Sequence, residues 1–212
     1  MAGGHEELSI GRLEAFSDGV FAIAITLIVL ELGISSNARG HLLPSLLHHW
    51  PAYLAYITSF LTIGVVWSQH SAVTGTLRAA DQTLFRLNLL VLLITSFLPF
   101  PTKLLTEFFA EGGPERVAAV FYGITMLALT LALTWFGRYA TQHHELVKDQ
   151  IEADRLENIM EHSPSFVLYA VGIGVSLALP TAGIALYLVS AATRGFSTGT
   201  TVGPRLRRRY RA

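Results

Sequence analysis

The chain has no cysteine among its 212 residues, which excludes disulfides, thiolate nucleophiles, and iron–sulfur or zinc–thiolate centres. It is also short of charge: 14% of residues are Asp, Glu, Lys or Arg, in equal acidic and basic numbers, against 51% apolar residues. Soluble proteins carry about 25% charged residues, so this balance predicts a polytopic membrane protein. No phosphate-cradling glycine loop and no nucleophile triad occurs in the sequence, which leaves pump and enzyme classes without support. Ser17, Asp18 and His70 would form a triad only by accident of packing. The length leaves no room for a separate soluble catalytic domain. Glu6, Glu7 and Glu14 precede the first apolar run, a pattern too acidic for a cleaved signal peptide, so that run is expected to be retained.

What is present is a series of apolar runs. The first, Phe16 to Leu32, is about 26 Å long as a helix, close to the hydrocarbon thickness of a bilayer. The second, roughly Leu46 to Ser68, begins near His48, His49 and Trp50 and ends at Trp67 and His70, residues suited to an interface. The third, about Leu84 to Leu105, contains Pro99 and Pro101, which remove backbone donors and should kink or end the helix near Phe100. The fourth runs from about Val117 to Phe136, with Trp135 and Tyr139 at its end.

The last apolar stretch, Pro164 to Ala192, reads as one tilted span or as two short ones split at Leu179-Pro180-Thr181-Ala182-Gly183. The distribution of basic residues arbitrates, because cytoplasmic segments hold the excess. Six spans with an inner N-terminus place twelve Lys or Arg inside and three outside, the three being Arg39, Lys103 and Arg116. A fused final span would put the six basic residues from Arg194 onward outside. The expected architecture is therefore all-α, with a six-helix transmembrane domain over residues 1–194 and a flexible basic cytoplasmic tail over 195–212. Both termini would be cytoplasmic, in a multi-pass protein of the cell membrane.

Thr141 to His162 alternates carboxylates (Glu145, Asp149, Glu152, Asp154, Glu157, Glu161) with Lys148 and Arg155, and sets Leu146, Ile151, Leu156 and Ile159 at roughly helical spacing. That pattern predicts a solvated cytoplasmic surface helix rather than a metal or catalytic cluster, and His143 and His144 share that assignment. The tip formed by Arg205, Arg207, Arg208, Arg209 and Arg211 suits anionic inner-leaflet lipid better than nucleic acid.

The chemistry concentrates in the first run, where Arg12-Leu13-Glu14-Ala15-Phe16-Ser17-Asp18 and then Thr26 set polar groups into apolar sequence. Ionisable groups there are costly in lipid and mark a functional site by default. The pattern Arg12-x-x-x-Phe16-Ser17-Asp18, seven residues, Thr26 resembles the signature of the transmembrane protein 175 family of lysosomal and prokaryotic potassium channels. One copy of the motif, with six spans, is similar to the single-repeat prokaryotic form. The resemblance implies a homotetramer whose first helix lines a central pore, passive cation permeation favouring potassium, and no cofactor beyond the permeant ion.

At about 100° per residue, Phe16, Gly19, Ile23, Leu27, Leu30 and Ile34 share one stripe, with Ser17 and Asp18 turned well away. An apolar stripe on a membrane helix is by default a lipid-facing or packing surface. The resemblance instead implies that Ile23, Leu27 and Leu30 are successive constriction rings, with Ile23 the narrowest and K+ passing transiently near Ile23, Thr26 and Leu27. The chain lacks the Thr-Val-Gly-Tyr-Gly carbonyl filter, so selectivity would rest on partial dehydration in an apolar tube helped by nearby oxygens. Thr26 is the best-placed hydroxyl, although such a residue more often bonds its own preceding carbonyl. Asp18 is expected to be buried and partnered. Trp67 and His70 are the candidate partners by resemblance, with Arg12 either in that knot or at headgroups. Glu31 would raise local cation concentration at the outer mouth or be an ordinary interfacial charge. The competing functions are a proton-conducting channel or a proton-coupled secondary transporter using Asp18 and the histidines, and a non-conducting scaffold.

Overall fold

The computed structural model describes residues 9–32, 42–108, 114–148 and 165–193. Ile34, Arg39, the acidic segment from Asp149 to His162 and the basic residues from Arg194 onward lie outside the described residues. Among the described residues the chain is helical: α1 (Ile10–Leu27), α2 (Leu42–His48), α3 (Trp50–Thr76), α4 (Gln82–Phe97), α5 (Pro99–Phe108), α6 (Glu115–Gln142), α7 (Ser165–Ser176) and α8 (Pro180–Thr193). A 3-10 turn, Ile28–Glu31, prolongs α1.

Among the described residues three elements are long and apolar enough to cross a membrane: α1 with its 3-10 turn, α4 and α5 taken together, and α6. α3 is equally long at 27 residues but carries Thr58, Ser59, Thr62, Gln69, His70, Thr74 and Thr76. These side chains are buried in the bundle, away from any surrounding lipid. α3 runs two turns beyond Trp67 and His70, which therefore sit within the helix rather than at its end. Thr74 and Thr76 bond carbonyls of their own helix in those turns. At the other end Leu46 belongs to the short α2, and α3 itself starts at Trp50 with Pro51 in its first turn, where a missing N–H costs nothing.

The third run breaks where its prolines require. α4 is capped by Asp81, whose carboxylate accepts from Leu84 N at 2.7 Å, and it ends at Phe97. α5 then opens on Pro99. The last apolar stretch is likewise two helices. Ser176 Oγ and Tyr187 Oη are 3.1 Å apart; along a single helix eleven residues would separate them by about 16 Å, so α7 and α8 fold back as a hairpin. Their crossing is made by glycines: a methyl on Gly183 would strike Ser176 and meet the Gly172 carbonyl oxygen at 3.0 Å, and one on Gly172 would meet the Tyr187 ring.

Segment 143–148 departs from the surface-helix expectation. α6 stops at Gln142, His144–Leu146 form a 3-10 turn, and Val147 pairs antiparallel with Leu77. Arg78 N donates to Leu146 O and Lys148 N to Thr76 O, each at 2.8 Å. Backbone groups left over at the ends of α3 and α6 satisfy one another in this short ladder, and Leu146 and Val147 are buried beneath it. The ladder brings the C-terminal ends of α3 and α6 to one end of the bundle, in agreement with alternating spans.

Gly183→Ala is expected to lower stability by about 1–3 kcal/mol through overpacking of the α7–α8 crossing. Thermal unfolding of the detergent-solubilised protein measures it.

Candidate functional site

α1 has two unlike sides. Leu13, Ser17, Phe21 and Ala24 of α1, followed by Ile28, are buried against α3 and α4 at spacings of three and four residues. On the far side Phe16, Gly19, Ile23, Leu27 and Leu30 are all exposed in the isolated subunit, Ile23 at 61% and Leu30 at 73%. Arg12 and Thr26 are exposed beside this stripe, whereas Asp18 is exposed about 140° round the helix from Ile23.

The buried side is held by an ordered chain of polar groups. Ser17 Oγ donates to Leu13 O at 2.8 Å. Its oxygen is then free to accept from Asn88 Nδ2 at 3.1 Å. The remaining amide oxygen of Asn88 has only acceptor capacity, so the 2.6 Å contact from His70 requires the proton on Nε2. Every link has one donor and one acceptor, and Ser17, Asn88 and His70 are each at most 1% exposed. Rings fix the imidazole plane. Phe136 stacks on it at 5.0 Å and 8°, and Phe21 lies 5.4 Å away at 58°.

Asn88 is therefore the hub, and the residue types of the first run do not point to it. The available signal is its position: an amide inside the otherwise apolar α4 needs an internal partner. Asp18 differs from expectation. It is exposed rather than buried, and its one contact in this cluster is with Trp67, whose Nε1 donates to Oδ1 at 2.7 Å. The indole sits on α3 one turn before His70, so α3 reaches α1 twice, once at Asp18 and once through Asn88 at Ser17. Asp18 and Ser17 lie about 100° apart on the helix, so neighbours on two sides share the work.

Thr26 donates to the carbonyls of Ile23 at 2.9 Å and Ala22 at 3.0 Å. That geometry is the helix back-bond, and it leaves the hydroxyl oxygen's lone pairs turned outward on the exposed side. Arg12 is exposed and takes no part in the cluster among the described residues. The Glu31 backbone carbonyl accepts from Thr106 Oγ1 at 3.1 Å, which ties α5 to the end of α1. His143 and His144 lie at the far end of α6, where His143 Nδ1 is 2.8 Å from Tyr139 O.

Comparison with known proteins adds four findings. Residues 12–99 match the family described as "Endosomal/lysosomal potassium channel TMEM175". A potassium channel of Streptomyces collinus is 40% identical over 144 residues, 68% of this chain and 70% of that protein. The crystal structure of a lysosomal potassium-selective channel TMEM175 homolog from Chamaesiphon minutus superimposes with a TM-score of 0.79 at 34% identity, over 89% of this chain and 97% of that one. More distantly, the endosomal/lysosomal proton channel TMEM175 of Gallus gallus is 36% identical over 124 residues, and this chain spans 25% of its length.

Asn88→Ala is expected to cost about 1–3 kcal/mol, because it leaves His70 and Ser17 buried without each other's intermediary. A lowered melting temperature in detergent checks this; an unchanged one would show that the imidazole finds another acceptor.

Proposed function

Since the chain belongs to the TMEM175 channel family, we propose that it is a potassium-favouring cation channel in which four copies set α1 around a shared axis. The carrying observation is the mixed character of the exposed side of α1. Thr26 stands there beside the apolar stripe and Asp18 is exposed on another flank of the helix, bonded to Trp67, and an exposed carboxylate and hydroxyl within a membrane helix are expensive against acyl chains. Facing other copies and water removes that cost.

In such an assembly Ile23, Leu27 and Leu30 form three apolar rings, with Ile23 the constriction. A ring of aliphatic side chains narrows the path and expels water, so an ion crosses only by shedding part of its hydration shell. Potassium holds its water less tightly than sodium, which makes that loss cheaper. Thr26 stands about one-sixth of a turn from Ile23. With its proton committed to the helix carbonyls, its oxygen offers lone pairs to a half-stripped cation. The ion gradient supplies the drive, and selectivity stays below that of a carbonyl cage.

Phe16 continues the exposed stripe toward the start of α1, and Ser17, Asp18, Trp67 and His70, together with Asn88, work behind this wall. They set the rotation of α1 and hence which residues meet the axis. Arg12 and the other basic residues at that end favour the cytoplasmic side for it, in a channel of the cell membrane.

The proton-relay alternative finds less support in the geometry. Asp18 faces an indole N–H, which donates only, and His70 faces an amide. Neither partner passes a proton on, so the two groups do not form a continuous wire.

Reconstitution into liposomes with potassium and sodium flux measured side by side tests the function; potassium flux exceeding sodium supports it, and no flux of either ion overturns it. Ile23→Asn is expected to wet the constriction and raise leak current severalfold. Thr26→Val should lower the potassium-over-sodium permeability ratio by roughly three- to tenfold, the effect of about one lost polar contact. The reversal potential under biionic conditions reads that ratio directly.

A further inference from the structure

The end of α1 is not a free helix terminus. At Ile28 the helix tightens into a 3-10 turn that contains Leu30 and ends at Glu31, with Leu32 N returning to Val29 O at 3.2 Å. The last carbonyls of any helix lack intrahelical donors, and within a membrane no water replaces them. Here α5 packs against the turn, Ile28 and Leu105 are fully buried, and Thr106 Oγ1 reaches Glu31 O at 3.1 Å. The same hydroxyl also lies 2.9 Å from Lys103 O in its own helix. It has one proton, so the two carbonyls compete for it.

One turn earlier on the same face, Thr102 anchors α5 to the core. Thr102 Oγ1 donates to Leu98 O at 2.9 Å. It therefore accepts from Ser59 Oγ at 2.8 Å, and Ser59 in turn accepts from Tyr122 Oη at 2.9 Å. All three side chains are fully buried. Pro99 and Pro101 lack the N–H groups that would bind the start of α5 into α4. α5 is consequently a separate lever, held at one turn by α3 and α6 and touching the pore helix at the next.

We propose that Thr106 is a positioning residue for the outer constriction: by sharing its proton with Glu31 O it holds the 3-10 turn and sets where Leu30 stands. The proposal rests on the pore reading above. Loss of the hydroxyl frees the turn, and the ring at Leu30 shifts while the ring at Ile23, two turns deeper in regular helix, stays in place.

The absence of cysteine from the chain supplies a clean background for the test. Leu30→Cys and Ile23→Cys are made singly in the full chain, each alone and combined with Thr106→Val, Thr106→Ala or Thr106→Ser. Assembled channels are reconstituted, and modification by a charged methanethiosulfonate is followed as the change in potassium flux. With Thr106→Val or Thr106→Ala the modification rate at position 30 should change by about three- to tenfold, on the scale of one hydrogen bond. The rate at position 23 should hold, and Thr106→Ser should restore the original rate at position 30. An unchanged rate at position 30 in both hydroxyl-free variants overturns the proposal, as does an equal change at positions 23 and 30. If modification at neither position alters flux in the parent channel, the pore reading fails first and the positioning role with it.

Discussion

A hydroxyl, amide or imidazole inside a lipid bilayer has no water to bond with, so every such group in a spanning helix must find its partner within the protein. The fold depends on this constraint more than on apolar attraction between helices, since lipid tails solvate leucine as well as a neighbouring helix does. Two ordered chains answer it. His70, Asn88, Ser17 and Leu13 O join α3, α4 and α1, and Tyr122, Ser59, Thr102 and Leu98 O join α6, α3 and α5. Each runs donor to acceptor without a gap and ends on a backbone carbonyl. α3 contributes to both, which gives its buried Ser59 and His70 their partners.

These chains govern rotation. A helix that buries Ser17 toward Asn88 must present Ile23, Leu27 and Leu30 on the opposite side, because side chains on one rigid helix turn together. The first chain acts near the start of α1, and the contact from Thr106 acts at its end. In the proposed channel the apolar rings are thus oriented by polar bonds made elsewhere on the same helix. Replacing an aliphatic ring residue would change permeation directly, whereas disturbing the chains would change which residues form the rings.

Much of this was legible from residue order. Pro99 and Pro101 broke the third span because a missing N–H acts locally, and Pro180 with Gly183 split the last stretch for a similar reason. The stripe from Phe16 to Leu30 followed from helical period alone, and the residues expected to turn away from it did so. Other features were not legible. Asp18 looked like a buried carboxylate, yet it is exposed and bonded to Trp67. Asn88 carried no motif, although it is the partner that His70 and Ser17 share. Segment 143–148 had helical spacing in Leu146 and its neighbours, but Val147 met the end of α3 and paired with Leu77. Periodicity describes one element in isolation and says nothing of a strand-like contact with another.

By itself the sequence determined the solvent, the order of the apolar segments, the places where they break and the motif that carries the family. Hydropathy, proline and fixed spacing all act within a single segment, so no neighbour is needed to read them. Only the tertiary structure decided that Asn88 joins His70 to Ser17, that Asp18 answers Trp67, and that α5 comes to rest against the last turn of α1. Those pairings depend on the depth and rotation of one helix relative to another, and these are set when the whole set of buried polar groups is satisfied at once.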